Sequence, residues 1–129
     1  MPSPIPTRYL ANTSAALGLF IVANSIYGAV NPRGALNMLG FPVPTSPSDQ
    51  KLVLGLTRMQ ATTRIALGAS TLAMWNYGCY RAMGLGGVVG VLMAVVDGFV
   101  SRDVIGKGEL GHWFAAPIGL GISIGLLMD

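Results

Sequence analysis

Long apolar stretches separated by short polar ones organise the chain. Four of them run from about Tyr9 to Val30, Lys51 to Trp75, Tyr80 to Val100 and Leu110 to Met128. A helix needs about 20 apolar residues to cross the hydrocarbon core of a bilayer, and each stretch meets that length to within a few residues. None shows the two-residue alternation of a strand, and all are too long for barrel strands, so helices are the reading that satisfies the backbone in lipid. The connections agree with this. Asn31-Pro32-Arg33-Gly34 ends the first helix, and the proline-rich segment Phe41 to Pro47 precedes the second, with Ser48 or Asp49 as its cap. Asn76-Tyr77-Gly78 makes a tight turn, and Arg102 to Glu109 a short polar loop. Ala35 to Phe41 is apolar but short, and reads as an interfacial turn lying on the membrane. The first stretch reads as a span rather than a signal peptide, because Asn12, Asn24 and Tyr27 interrupt it. The expected fold is all-α: a four-transmembrane-helix antiparallel bundle, one integral membrane domain over residues 1–129.

Composition sharpens the picture. The chain is 52% hydrophobic and 10% charged, with a mean hydropathy of +0.60, whereas soluble domains carry about 25% charged residues. That excludes an ordinary soluble domain and a disordered tail. The net charge of +3 comes from eight scattered Lys and Arg with no basic run, which excludes a nucleic-acid partner. Cys79 is alone and cannot close an internal disulfide, and no Cys/His set points to a metal. No cofactor is implied. Arg33, Lys51, Arg102 and Lys107 flank the first and third loops, against Arg8 and Arg81 on the other face. That excess puts the first face in the cytoplasm and both termini outside.

Ionisable groups inside a span are expensive, about 2.5–3.5 kcal/mol each on the insertion scale, and are functional candidates by default. The second span carries Arg58 and Arg64, with Gln60, Thr57, Thr62 and Thr63; the third carries Asp97, the fourth His112, and the first Asn24 and Tyr27. In an antiparallel bundle, every ionisable group but Arg64 falls in the half nearest the first and third loops. Arg64 lies near the midplane, and the other half is plain Leu, Val, Ala, Gly and Met. Thr57, Gln60 and Arg64 share one helical face, as do Asn24 and Tyr27. His112, Ala116, Gly119 and Ser123 form a small-residue stripe that lets another backbone approach closely.

Gly55-Leu56-Thr57-Arg58, Arg64-Ile65-Ala66-Leu67-Gly68, Val96-Asp97-Gly98 and His112 together resemble a family of small four-helix integral membrane proteins. It is common in fungi and catalogued as a domain of unknown function, and the resemblance covers roughly residues 10 to 128. It implies an arginine in an R-x-x-x-G setting, an Asp-Gly and a histidine as family positions, matched here by Arg64, Asp97 and His112. It further implies an association with fungal polyketide and terpenoid pathways, where such proteins open epoxides or close rings on apolar intermediates. The expected location of the bundle is the endoplasmic reticulum.

The residues permit that chemistry. Asp97 would activate water or attack carbon as a nucleophile, and His112, with Tyr27 as partner, would protonate the ring oxygen. Arg58 or Arg64 would pair with Asp97 or stabilise developing negative charge. Asn24 and Gln60 would bind substrate, as would Glu109, three residues before His112. Each residue also has a plain structural reading. Asp97 with either arginine forms an ion pair that fixes helix register, His112 beside Trp113 anchors a helix end, Tyr27 and Trp75 belong to the interfacial aromatic belt, and Asn24 bridges helices. The sequence therefore supports two functions. One is a membrane enzyme for an apolar epoxide; the other is a non-catalytic lipid-binding or scaffold protein with a buried Arg-Asp-His network. The partners are a hydrophobic small molecule and the lipid bilayer. Glycine-rich faces on so small a bundle also leave room for a homodimer.

Overall fold

The computed structural model describes residues 5–128. They form five helices: α1 (Thr7–Val30), α2 (Pro32–Leu39), α3 (Pro47–Asn76), α4 (Tyr80–Ile105) and α5 (Glu109–Leu127). No strand occurs among the described residues. α1, α4 and α5 are each long and apolar enough to cross a membrane. α3 is the longest at 30 residues, roughly 45 Å at 1.5 Å per residue. It is not among the three, because its middle carries Thr57, Arg58, Gln60, Thr62, Thr63 and Arg64.

Three boundaries differ from the sequence pattern, each for a local reason. Ala35 to Phe41 is not a turn. Most of it belongs to the two-turn helix α2, which Asn31 caps by accepting the Gly34 N–H at 3.0 Å, with Pro32 preset at its first position. α3 starts at Pro47, and its cap is Ser46 rather than Ser48 or Asp49; the Ser48 hydroxyl instead pairs with that of Ser46 at 2.9 Å. α4 runs on to Ile105, where Gly106 (φ 66°) takes the left-handed turn that ends it. Asp97 thus sits eight residues before the end of α4, about 12 Å along the helix axis.

The helices pack as two tight pairs, α1 against α3 and α4 against α5, with much sparser contact between the pairs. Small residues make each pair tight. A Cβ on Gly68 of α3 would lie 2.7 Å from the Gly18 carbonyl of α1, and one on Gly84 of α4 would lie 2.9 Å from the Ser123 carbonyl of α5. Backbones approach this closely in lipid because dispersion contact, not expulsion of water, drives helix association there. The stripe Ala116, Gly119 and Ser123 on α5 lies in that seam: Ala116 and Ser123 are buried, and Gly119 abuts Val91.

The distribution of residues is that of a protein in lipid. Apart from Met83, Leu10, Leu36 and Leu126, what is buried is small (Ala11, Ala15, Ala61, Ala116, Ser25, Ser101, Ser123), while Leu19, Phe20, Leu85, Leu92, Phe114 and Ile118 stand outward. The two pairs are joined at one end by a small apolar core of Leu10, Ala11, Met83 and Leu126, with Met74, Tyr80 and Ile122 packed on it. Trp75 ties α3 to α1 at that same end by donating its indole N–H to Asn12 at 2.9 Å; it is not merely an aromatic anchor. Toward the other end, the space between the pairs is a cavity.

Candidate functional site in the cavity between the helix pairs

The cavity measures about 520 Å³ and every helix contributes to its wall, a size typical of small-molecule sites. Most of the wall is apolar. The polar groups on it are Asn24, Ser25, Tyr27, Thr57, Gln60, Arg64, Asp97 and His112. Six of the eight candidate residues named from the sequence therefore meet in one space.

Asp97 is its centre. Arg64 donates from Nη2 to Asp97 Oδ2 in an ion pair that joins α3 to α4 and so bridges the two helix pairs. Gln60 donates from Nε2 to Asp97 Oδ1 at 3.2 Å. Gln60 and Arg64 are four residues apart, so successive turns of α3 take one carboxylate oxygen each. Each oxygen has a second lone pair, so the clamp orients the carboxylate without exhausting it. The two side chains are 32% and 22% exposed for Arg64 and Asp97, which places the pair at the cavity wall rather than in sealed core.

The structure also decides between the two arginines. Arg58 is exposed, forms no ion pair among the described residues and does not line the cavity. Glu109 is the first residue of α5, three before His112, yet does not reach the wall. Asn24 lines it, with Nδ2 held by the Phe20 carbonyl of its own helix at 3.0 Å. The α3 threonines are likewise satisfied on their own helix: Thr57, Thr62 and Thr63 each donate to the carbonyl four residues earlier, at 2.8–3.1 Å.

His112 faces the same cavity from α5 but has no hydrogen bond to protein among the described residues. It is not part of the Arg64–Asp97–Gln60 cluster. What holds it there is its neighbour. A Cβ on Gly98 would collide with the Trp113 indole, coming within 2.6 Å of Cδ1, so the bare backbone of Gly98 is the seat of that ring. Phe99 closes on it edge-to-face, with centroids 5.3 Å apart and planes at 62°. The Asp97-Gly98 and His112-Trp113 pairs thus form one lock: Gly98 receives Trp113, and the preceding residue of each pair is left on the cavity wall. Sequence reasoning placed Trp113 only as the interfacial neighbour of an anchoring His112 and missed this contact. A glycine directly after the intramembrane aspartate was the available signal.

α2 closes the end of the cavity with Ala35, Met38 and Leu39. Met38 and Phe20, 76% and 67% exposed, stand at its rim, so the opening is framed by large apolar side chains.

A family described as Domain of unknown function (DUF4267) matches residues 18–126, most of the 129-residue chain, and the chain belongs to that family. No curated protein and no solved structure matches it.

Proposed function

We propose that this DUF4267 member is a small integral membrane enzyme that opens an epoxide on a hydrophobic polyketide or terpenoid intermediate, by hydrolysis or by cyclisation. The observation that carries the reading is the meeting of a clamped carboxylate and an unengaged imidazole on the wall of one mostly apolar cavity. An apolar wall suits a lipid-soluble substrate, and the apolar rim suits entry from the bilayer.

In hydrolysis, the Asp97 carboxylate takes a proton from water as the water oxygen bonds to an epoxide carbon. The ring C–O bond breaks, its electron pair stays on the ring oxygen, and that oxygen takes a proton from the His112 imidazolium. A water then returns the Asp97 proton to His112, so the net change is addition of water to give a diol. In cyclisation a hydroxyl of the substrate replaces the water, and the product is an isomeric cyclic ether. Arg64 and Gln60 hold the carboxylate in place through both.

The same reading takes α3 as a fourth span, giving a multi-pass four-helix bundle of the endoplasmic reticulum with the first and third loops cytoplasmic. The self-satisfied threonines of α3 and the engagement of Arg64 with Asp97 support it, since a polar group with its partner supplied is far cheaper in lipid. A homodimer fits the small size of the bundle.

A second reading has its own observation. Both Asp97 oxygens already accept a donor from α3, as they would in a scaffold or lipid-binding protein whose ion pair only fixes helix register. Product analysis separates the two. Microsomes containing the protein receive epoxidised polyene or terpenoid substrates in water enriched in heavy oxygen. A diol carrying the label establishes a hydrolase, and an unlabelled cyclic isomer a cyclase. Products identical to those of empty microsomes, with folded protein confirmed, refute the enzyme.

A further inference from the structure

Tyr27 is held by an arrangement that fixes which way its hydroxyl hydrogen bond runs. Asn31 Oδ1 accepts the Gly34 N–H at 3.0 Å as the cap of α2. A backbone N–H can only donate, so the amide orientation of Asn31 is determined: oxygen toward Gly34, nitrogen toward Tyr27. Asn31 Nδ2 accordingly donates to the Tyr27 hydroxyl oxygen at 3.2 Å. That oxygen is an acceptor here, and its own proton has no acceptor among the described residues. Tyr27 also lines the cavity. Gly34 is part of the device, since a Cβ there would come within 2.6 Å of the Tyr27 hydroxyl and closer still to the Asn31 amide.

From this we infer that Tyr27 donates its hydroxyl hydrogen bond to a neutral acceptor oxygen of the ligand, an epoxide, ether or ketone, at the α2 end of the cavity, and that Asn31 is the positioning residue enforcing that direction. The inference rests on the proposed reading of the cavity as a small-molecule site and names the ligand group this corner recognises. It does not depend on epoxide opening. A bare hydrocarbon gains nothing from a free phenol donor. A carboxylate or phosphate would have Arg64 to meet, but that group is already engaged by Asp97.

Asn31→Asp isolates the direction of the bond. Aspartate caps a helix as well as asparagine, so α2 keeps its Gly34 hydrogen bond. The group facing Tyr27 becomes an acceptor, which draws the phenol proton to itself and away from the ligand. Tyr27→Phe removes the donor outright and keeps the ring.

The test uses two inert, nearly isosteric probes, 2-dodecanone and 2-methyl-1-dodecene, titrated into purified full-length protein in nanodiscs, with folding checked by circular dichroism and melting. Wild type is expected to bind the ketone about tenfold more tightly than the alkene, the upper end of what one net hydrogen bond contributes. Tyr27→Phe and Asn31→Asp should each abolish that preference while leaving alkene affinity within about twofold, and the double variant should lose no more than either alone. Equal affinities in wild type, or a preference that survives Tyr27→Phe, overturn the assignment of Tyr27. A preference that survives Asn31→Asp overturns the role of Asn31. If neither probe binds, the cavity is not a small-molecule site, and the proposed function falls with the inference. If both bind equally, only the inference falls.

Discussion

Replacing Asp97 by asparagine and Arg64 by glutamine, singly and together, separates the chemistry of the cavity from its architecture. Asp97→Asn keeps the shape of the side chain and an acceptor for Gln60 but leaves the Arg64 guanidinium without its counter-charge. Breaking one partner of a fully buried pair costs about 3–5 kcal/mol, whereas exposed pairs contribute about 0–1 kcal/mol. At 32% and 22% side-chain exposure this pair lies between those limits, and we expect a loss of about 2 kcal/mol. In a chain of this size that is a fall in melting temperature of about 8 °C. Arg64→Gln should cost a similar amount. The double variant puts two neutral amides where the pair was, and these can hydrogen-bond to each other, so it should recover most of the loss. A coupling of about 1.5 kcal/mol is the expected signature of direct contact.

Turnover should behave differently. Without the carboxylate no base remains to take the proton from water, and the rate of diol or cyclic ether formation should fall by about 10²–10⁴-fold. Restored stability in the double variant should bring none of it back. Melting followed by the fluorescence of Trp75 and Trp113 in detergent, beside product formation in heavy-oxygen water, reads both quantities on the same preparations. Additive losses of stability would show that the pair is not energetically coupled. Asp97→Asn active within tenfold of wild type would remove Asp97 from the chemistry.

Two further outcomes test the surroundings of that pair. Gly98→Ala pushes a methyl group into the Trp113 indole and should cost about 1–3 kcal/mol as overpacking; the emission maximum of Trp113 should shift, and turnover should drop with it because His112 moves. An unchanged spectrum would mean that the ring is not seated on Gly98. Arg58→Ala removes an exposed group without an ion pair among the described residues, so melting should move by less than about 2 °C and turnover not at all, in contrast to Arg64→Gln; a large loss would return Arg58 to the site.

The polar half of the bundle was legible in the sequence because helical spacing and span depth are local properties. Gln60 and Arg64 share a face at any rotation of α3, and Asp97 and His112 come near the same end in any antiparallel arrangement. The choice of arginine was not legible. Arg58 and Arg64 lie roughly 120° apart around the helix, and which one faces inward depends on the rotation of α3. Gly68 against Gly18 sets that rotation, turning Arg64 into the cavity and Arg58 out of it. α2 escaped detection because eight residues span barely two turns, too few for a periodicity to emerge. Its markers were present as Asn31 and Pro32, but the same two residues also serve as the end of α1. The seating of Trp113 on Gly98 depends on the register between α4 and α5, which no single helix encodes.

Whether α3 spans the membrane decides the topology of the whole molecule, and the residues predict that it cannot do so alone. Two arginines cost about 5–7 kcal/mol at helix-centre values, while the Leu, Ile and Val residues of α3 return about 0.3–0.6 kcal/mol each, so the isolated segment is expected to stay out of the hydrocarbon. Inside the full chain Arg64 has Asp97, and Arg58, nearer the helix start and exposed, can extend its charge to the interface. Insertion of α3 is therefore expected to depend on α4. Cys79, exposed in the turn between α3 and α4, supplies a probe, and Thr45→Cys in a Cys79→Ser chain supplies another at the opposite end of α3. In sealed vesicles an impermeant maleimide should reach one of these positions and not the other. In a chain ending at residue 79 the two positions should label from the same side. Same-side labelling in the full chain would show that α3 lies along the membrane, and the fourth span would have to be given up.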